Sequence, residues 1–207
     1  MTSLRREHRL LSATMSTAQP STLAELVVAI QRADSPTSPT RIVAIDGPGG
    51  AGKSTFARRL ADAFGGAVIV HTDDFASADN PIDWWPRLLA QVLTPLAAHE
   101  PVRYQRYDWP TEHLAEWVEF DAARDGGGIV IIEGVSASRR QWAELLTYVV
   151  WIQTPRANRL NRGVLRDGPE WAEDWHDWMA AEDAHFAADA TMDRVDLVID
   201  GTGWFPD

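Results

Sequence analysis

Short apolar runs recur along the chain, separated by segments with the spacing of amphipathic helices. The runs are Ile42–Ile45, Ala67–Val70, Ile129–Ile132, Val149–Ile152 and Leu197–Ile199. Nearly continuous apolar runs of this length are typical of strands that helices cover on both faces. The segments long enough to be covering helices are 53–64, 84–98, 138–147 and 155–167. The alternation predicts an α/β fold, with a parallel five-stranded sheet and helices on both faces.

The chain before the first strand divides into two parts. Residues 1–20 are polar and rich in Ser and Thr without a clear period, so we predict a disordered arm. Thr22–Glu25 has the pattern of a capping box. Apolar residues then recur at helical spacing: Leu23, Leu26, Val27 and Ile30. We therefore predict a helix and linker over 21–40 and the main domain over 41–207. The helix could pack on its own domain or on a second subunit, which leaves a homo-oligomer open.

Composition and charge narrow the function classes. The chain has 207 residues and a net charge of −11, which argues against a nucleic-acid partner because neutralising phosphates needs clustered Lys and Arg. It contains no cysteine, so disulfides and thiolate metal sites are excluded. No run approaches the ~20 apolar residues of a membrane span, and no signal peptide is visible. We expect a cytoplasmic protein without a membrane partner.

A glycine-rich segment follows the first strand and precedes the first predicted helix. It reads Gly47-Pro48-Gly49-Gly50-Ala51-Gly52-Lys53-Ser54, which matches the phosphate-binding pattern G-x-x-x-x-G-K-[ST]. The glycines let backbone N–H groups approach phosphate oxygens, and the helix that follows adds its N-terminal partial charge. Lys53 would reach the β- and γ-phosphates, and the Ser54 hydroxyl would bind Mg²⁺. The alternative is a glycine-rich turn that binds nothing.

This segment defines the candidate nucleotide site. Its predicted nucleotide-binding residues are Gly47, Gly49, Gly50, Ala51, Gly52, Lys53, Ser54 and Thr55. The expected ligands are ATP and Mg²⁺, although a loop that contacts only phosphates does not distinguish ATP from GTP.

Carboxylates follow two of the predicted strands, at the sheet edge where open α/β sheets bind ligands. Glu133 directly follows the strand Ile129–Ile132, which makes it a candidate Mg²⁺ ligand opposite Ser54. Asp73 and Asp74 follow the second strand. In a phosphotransferase, either aspartate could orient or deprotonate the acceptor hydroxyl. We count Asp73 as a third candidate metal ligand. Strand-end carboxylates and turn caps are the structural alternatives.

Four arginines are spaced three or four residues apart on one predicted helix: Arg156, Arg159, Arg162 and Arg166. This spacing puts them on one helix face, where they could neutralise an anionic ligand, or they could form an ordinary solvated face. The aromatic residues Trp171, Trp175 and Trp178 follow at helical spacing. They are interpreted as core packing, with a stacking platform as the alternative.

The ordered set of motifs resembles the uridine kinase-like branch of the P-loop kinases. The motifs are Gly47–Thr55, Asp73-Asp74-Phe75, Tyr107-Asp108-Trp109, Glu133-Gly134 and Arg159–Asp167, and the similarity runs from about Arg41 to Gly201. The resemblance implies a three-layer P-loop NTPase of the nucleoside-monophosphate-kinase type. It also implies a helical lid around 156–178, ATP and Mg²⁺, and a small hydroxyl compound as acceptor.

The resemblance also implies roles for individual residues on the acceptor side. Asp73 takes the place of the base that acts on the ribose 5′-hydroxyl, and Asp79 that of a ribose contact. Tyr107 matches a residue that packs on the pyrimidine. Glu112 stands where the family has a base-reading histidine, while His113 lies one place further.

On the donor side, the lid arginines match the family pattern Arg-x-x-Arg-x-x-x-Arg-Asp. The resemblance makes Arg159 a nucleotide contact and adds Arg162 and Arg166 to the catalytic set of Asp73 and Lys53. The segment 167–175 departs from the family, because it is acidic and aromatic where uridine kinases have a second basic stretch.

These observations predict an ATP-dependent small-molecule kinase, with a nucleoside such as uridine or cytidine as acceptor. Another hydroxyl metabolite is one alternative. A regulatory ATP-binding module is a second alternative, although the Asn-Lys-x-Asp segment of guanine-specific switches is absent. A nucleic-acid-acting ATPase is the third, and the net charge weighs against it.

Overall fold

A five-stranded sheet organises the computed structural model, which describes residues 19–77, 80, 82–203 and 205–207. The strands in chain order are β1 (Arg41–Asp46), β2 (Val68–His71), β3 (Val102–Asp108), β4 (His113–Phe120), β5 (Ile129–Glu133), β6 (Tyr148–Gln153) and β7 (Leu197–Asp200). Five of them pair in parallel in the order β2-β5-β1-β6-β7. β3 and β4 form a separate antiparallel hairpin.

The helices occupy both faces of the sheet. They are α1 (Leu23–Arg32), α2 (Lys53–Ala63), α3 (Trp85–Leu88), α4 (Thr94–Ala97), α5 (Ala122–Asp125), α6 (Arg156–Asp167) and α7 (Ala172–Asp189). A π-helical segment (Leu89–Leu93) joins α3 to α4. Short 3₁₀ helices cover Thr72–Asp74, Arg140–Leu145, Pro169–Trp171 and Thr191–Arg194.

The central strand β1 shows why the sheet needs two covering layers. Ile42 and Ala44 belong to one core cluster, while Val43 and Ile45 belong to a second cluster on the opposite face. Successive side chains of a strand point to opposite faces, so an uninterrupted apolar run buries both. The predicted α/β fold and all five predicted sheet strands are confirmed; β2 begins and ends one residue later than predicted, which places His71 at its end.

The N-terminal helix α1 packs on its own domain. Leu26 and Ile30 are fully buried in the cluster that also contains Val43. Thr22 caps the helix by accepting the Glu25 N–H at 3.2 Å. The Glu25 carboxylate reaches back to the Ser21 N–H at 2.9 Å, one residue before the partner that the capping box predicts, and the Thr22 N–H contributes more weakly to lowering the Glu25 pKa. The predicted arm over 1–20 lies outside the described residues except for its last two.

Two predicted helices differ from the structure. The segment 84–98 is helical but changes to π geometry, because Pro95 has no N–H to donate and the Thr94 hydroxyl donates to the Leu89 carbonyl at 2.8 Å. The α-helix predicted over 138–147 is wrong: only the 3₁₀ helix at Arg140–Leu145 forms there. The start of this segment is held by side chains from elsewhere in the chain: the Ser138 N–H is bonded to Asp46 and the Arg140 N–H to Asp189.

The β3–β4 hairpin was not predicted from the sequence. It is fastened to the segment that follows β2, where Phe75 stacks on Tyr104 with ring centroids 5.2 Å apart. The hairpin therefore forms a wall beside the carboxyl end of β2. Among the described residues, no helix is both long enough and apolar enough to cross a bilayer.

Candidate active site

The glycine-rich segment forms a loop between β1 and α2. Asp46, the last residue of β1, fixes the start of the loop: its carboxylate accepts the Gly47 N–H at 2.7 Å and the Ser138 hydroxyl at 2.6 Å. Gly47 has φ +141°, and a Cβ there would lie 2.6 Å from the Ile152 carbonyl oxygen of β6. Gly50 has φ +72° and lies equally close to the α6 backbone. Only glycine fits these positions, which clamp the loop between β6 and α6.

The loop leads into the N-terminus of α2 with several N–H groups available. Within the described part of the chain, the backbone N–H groups of Gly50, Gly52, Lys53 and Ser54 have no acceptor. N–H groups at a helix N-terminus, with the positive end of the helix dipole, form an anion site. The loop therefore has the donors of an anion site.

Lys53 lies in the first turn of α2 and is the only lysine in the chain; the other basic residues are arginines. Its ammonium is buried and donates to the Pro48 carbonyl at 2.9 Å, across the loop from its own helix. Burial raises the pKa of Asp46, Asp73 and Glu182, and the charge of Lys53 acts against this effect in each case and also favours the ionised form of Glu133. The ammonium thus lies at the centre of an acidic site.

Glu133 lies at the end of β5, beside the loop, and is buried. It accepts a hydrogen bond from His71 Nδ1 at 2.5 Å and interacts with the Ser54 hydroxyl. Burial alone would raise the pKa of Glu133, but the His71 hydrogen bond, the Lys53 charge and the Ser54 hydroxyl together lower it. The hydrogen bond to Glu133 in turn raises the pKa of His71. Glu133 is therefore held as a carboxylate.

The oxygen groups around the loop fit Mg²⁺. Ser54 offers a hydroxyl, and Glu133 and Asp73 offer carboxylates. Mg²⁺ is usually held by one or two carboxylates together with substrate phosphates and water. No cluster of three or more metal-binding side chains occurs in the described part of the chain.

The two aspartates after β2 have different surroundings. Asp74 is buried, and its carboxylate accepts hydrogen bonds from Arg106 Nε at 3.0 Å and from the Tyr104 hydroxyl at 3.1 Å. It therefore fastens the hairpin to the sheet. The Asp73 carboxylate has no hydrogen-bond partner among the described residues and is open to solvent on one side. Crowding by protein atoms raises the pKa of Asp73, and the nearby Lys53 ammonium partly offsets this effect.

The lid arginines are divided among different tasks. Arg159 is 5% exposed and donates to the Thr154 carbonyl at 3.1 Å. Arg162 donates to Gly50 and Ala51 of the loop at 3.2 and 3.3 Å. Arg166 pairs with Asp167 at 2.7 Å and lies close enough to Asp73 for each charge to shift the pKa of the other group.

Arg156 instead pairs with Asp183 of α7 at 2.6 Å, on the surface. The structure thus brings Arg159, Arg162 and Arg166 to the loop and cleft. Arg156 lies instead where α6 contacts α7.

Trp175 connects the lid to the phosphate loop. It is 3% exposed, and its indole Nε1 donates to Asp167 at 3.0 Å. Its ring lies against Gly49 on one side and Gly163 of α6 on the other. Trp171 is largely exposed and stacks on Trp178 with centroids 6.2 Å apart. The interpretation as core packing therefore holds for Trp175, whereas Trp171 lies at the surface.

Gly163→Ala should destabilise the lid. The added Cβ would overlap three atoms of the Trp175 indole, and the helix backbone cannot move away without disturbing the loop. Overpacking of this kind costs about 1–3 kcal/mol, so the midpoint of chemical denaturation should fall and ATP affinity should weaken with it. Gly203→Ala is the control for stability, because its Cβ would meet only a carbonyl oxygen 4.0 Å away. Equal stability of the two variants would show that Trp175 is not tightly packed.

A cavity of about 380 Å³ lies between the segment after β2, α3 and the hairpin. Its wall includes three aromatic rings, those of Phe75, Trp84 and Tyr107, together with the side chains of Glu112 and His113. Trp109, at the hairpin turn, donates its indole N–H to the Asp73 carbonyl at 3.1 Å and so ties this turn to the segment after β2. The predicted substrate contacts Tyr107 and Glu112 thus share one cavity. Asp79 lies outside the described residues.

A second cavity, of about 250 Å³, lies on the other side of the loop. It is lined by Gly52 and Thr55 of the loop, by Arg162 of the lid and by the C-terminal segment with Gly201 and Phe205. A nucleotide with its phosphates on the loop could place its base here, away from Asp73.

Several side chains at the site were not predicted from the sequence. His71 and Asp46 end strands beside the loop, and that position is the signal that could have identified them. Glu182 lies seven residues after Trp175, on the buried face of α7. An acidic residue on an apolar helix face is unusual enough to have marked it.

Comparison with known proteins supports the fold. No protein-family profile matches the chain, and no curated protein matches its sequence. The structure of a possible uridine kinase from Bacillus stearothermophilus matches with a TM-score of 0.62 and 19% identity, over 86% of this chain and 97% of that one. The structure of a proposed fructose transport system kinase from Silicibacter sp. TM1040 matches with a TM-score of 0.57 and 21% identity, over 87% and 100%. At these identities the matches establish the fold alone, which this chain shares with both structures.

Proposed function

We propose that this protein is a kinase that transfers the terminal phosphoryl group of ATP to a hydroxyl group of a small molecule, with a nucleoside 5′-hydroxyl as acceptor. The observation that carries the proposal is Asp73. It is a carboxylate without a hydrogen-bond partner among the described residues, in the cleft between Lys53 and Arg166, while its neighbour Asp74 is fully engaged by the hairpin.

The proposed reaction uses these groups in fixed roles. Asp73 accepts the proton of the acceptor hydroxyl as its oxygen forms a bond to the γ-phosphorus. The bond from that phosphorus to the β–γ bridging oxygen breaks, and ADP leaves with the electron pair. Lys53 and Arg166 stabilise the charge on the transferring group. Mg²⁺ held by Ser54 and Glu133, with Asp73 as a further candidate ligand, would neutralise charge on the phosphate oxygens.

Two cavities on opposite sides of the loop support a two-substrate enzyme. The cavity beside Arg162 suits the nucleoside half of ATP, and the aromatic cavity beside Tyr107 suits the acceptor. Aromatic rings can stack on a flat base, and a cavity of this size falls in the usual range for small ligands. A regulatory nucleotide-binding module would have no need for the second cavity or for Asp73.

Glu112 favours a particular acceptor chemistry. Its carboxylate can accept hydrogen bonds but not donate them, whereas the family histidine that it replaces can do either. A carboxylate suits the exocyclic amino group of cytosine, as in protein–DNA contacts, better than a carbonyl oxygen of uracil. We therefore place cytidine before uridine. A carboxylate at this position also suits the second candidate acceptor, another hydroxyl metabolite that is neutral or cationic.

An assay of ATP consumption tests the proposal. The panel would contain nucleosides and neutral, cationic and anionic hydroxyl metabolites, each measured with ATP and with GTP against a control without acceptor. We expect one acceptor to stimulate consumption, with cytidine ahead of uridine. Stimulation by an anionic acceptor alone would contradict the assignment of the aromatic cavity. Acceptor-independent hydrolysis would contradict the kinase.

A further inference from the structure

The phosphate loop already holds an anion, the carboxylate of Glu182. Both carboxylate oxygens accept the backbone N–H of Gly49, at 3.1 and 3.0 Å. Glu182 is only 7% exposed, and a Cβ on Gly49 would lie 2.8 Å from its Oε1. The carboxylate is therefore packed directly on the loop backbone.

The groups around this carboxylate are those of an anion site. Arg159 Nη1 lies 3.7 Å from Glu182 Oε2 and, within the described residues, is buried without a hydrogen-bond partner. The Lys53 ammonium is close enough to lower the pKa of Glu182, against the stronger effect of burial, which raises it. A loop N–H, a buried guanidinium and an ammonium are the donors that recur in phosphate sites.

The carboxylate and a bound triphosphate would compete for this position. Lys53 is the residue expected to contact the terminal phosphates, and the Glu182 charge lies beside it. Two anions at one set of donors repel each other, so the phosphate group that Lys53 holds would be destabilised while Glu182 stays in place. The loop N–H groups of Gly50, Gly52 and Ser54, in contrast, have no acceptor in the described part of the chain.

Glu182 is linked to the lid through α7. It lies on this helix with Trp175, whose ring covers Gly49 and packs against Gly163 of α6. Because Glu182 is buried between α7 and the loop, we expect withdrawal of its carboxylate from Gly49 to shift or rotate α7.

We propose that Glu182 is an internal competitor of the terminal phosphates of the nucleotide: it fills their position on the loop in the nucleotide-free protein and is displaced, together with α7, when a triphosphate binds. The inference rests on the nucleotide-binding half of the proposed function and is independent of the acceptor. Displacement releases Arg159 Nη1 from its ion pair with Glu182, so that it can turn to the phosphate. Nucleotide binding would thus be coupled to the position of the lid.

The direct test is nucleotide affinity in Glu182→Gln, measured by isothermal titration calorimetry. Glutamine keeps the size of the side chain and can still accept the Gly49 N–H, but carries no charge. We expect ATP and inorganic tripolyphosphate to bind at least about fivefold more tightly than to wild type, a typical size for such coupling. ADP should gain less, and adenosine should be unaffected.

Asp183→Asn is the matched control. It removes the same charge from the adjacent residue, which pairs with Arg156 on the surface, so ATP affinity should stay near that of wild type. Weaker or unchanged ATP binding in Glu182→Gln would overturn the proposal and make Glu182 a structural support of the loop. An equal gain in Asp183→Asn would also overturn it, because net charge alone would then explain the effect.

Hydrogen exchange on the wild-type protein supplies a second test that does not depend on a variant. Saturation with ATP should lower the protection of α7 amides around Glu182 relative to the nucleotide-free protein, while loop amides gain protection. Increased protection of both segments would overturn the proposal. Both experiments measure nucleotide binding. A protein that binds ATP but phosphorylates no acceptor would therefore contradict the proposed kinase activity and leave the proposal for Glu182 intact.

Discussion

Asp73→Asn is expected to lower turnover about 10²–10⁴-fold, the usual contribution of a positioned general base. Asparagine keeps the shape of the side chain but cannot accept the hydroxyl proton. The Asp73 carboxylate has no hydrogen-bond partner among the described residues, so the substitution should not disturb the fold. ATP affinity, measured by calorimetry, should remain within about twofold of wild type, since Ser54 and Glu133 remain to hold Mg²⁺ and one anion fewer lies near the phosphates.

Two further aspartate variants separate this role from others. Asp62→Asn changes an exposed carboxylate on α2 and should leave turnover unchanged. Asp74→Asn should lower the thermal stability instead, because the Asp74 carboxylate holds Arg106 and Tyr104 of the hairpin. If Asp73→Asn turns over normally while Asp74→Asn is inactive and stable, the assignment of the two aspartates is wrong.

Lys53→Ala is expected to weaken ATP binding roughly 10- to 100-fold, the loss of a charged hydrogen bond to phosphate. It should also lower turnover by about 10²–10³, because the same ammonium stabilises charge in the transition state. Lys53→Arg should recover little, since a planar guanidinium does not fit where the compact ammonium is buried against Pro48.

Arg58→Ala is the matched control for charge. Arg58 lies on the same helix, is exposed, and among the described residues donates only to the Ser54 carbonyl at 3.1 Å. It should change ATP affinity little. Comparable losses in Arg58→Ala and Lys53→Ala would mean that the net charge of α2, and not the position of Lys53, controls binding.

The sheet and the donor half of the site follow from local sequence patterns. The strand that ends at Asp46 is a continuous apolar run, and the loop after it needs glycine at Gly47 and Gly50 because β6 and α6 approach it there. Each of these features lies within a short stretch of sequence. Hydrophobic period and turn chemistry were therefore sufficient to predict them.

The acceptor half depends on contacts between distant segments, which no local pattern specifies. The hairpin alternates weakly and pairs through Tyr104 and Arg106 with Asp74, some thirty residues earlier. Only that pairing distinguishes Asp73 from Asp74. Glu182 likewise meets Gly49 across 133 residues of sequence, and its role could not be deduced before the fold was known.

The most direct test of the central claim is transfer of the terminal phosphoryl group itself. Protein would be incubated with ATP labelled at the γ-phosphate and with the acceptor that stimulates ATP consumption, and the products would be separated. The structure predicts one labelled phosphomonoester, formed in equal amount to ADP by the wild type and nearly absent with Asp73→Asn. Label released only as inorganic phosphate, at the same rate with and without acceptor, would contradict a kinase built around Asp73 and the Gly47–Ser54 loop.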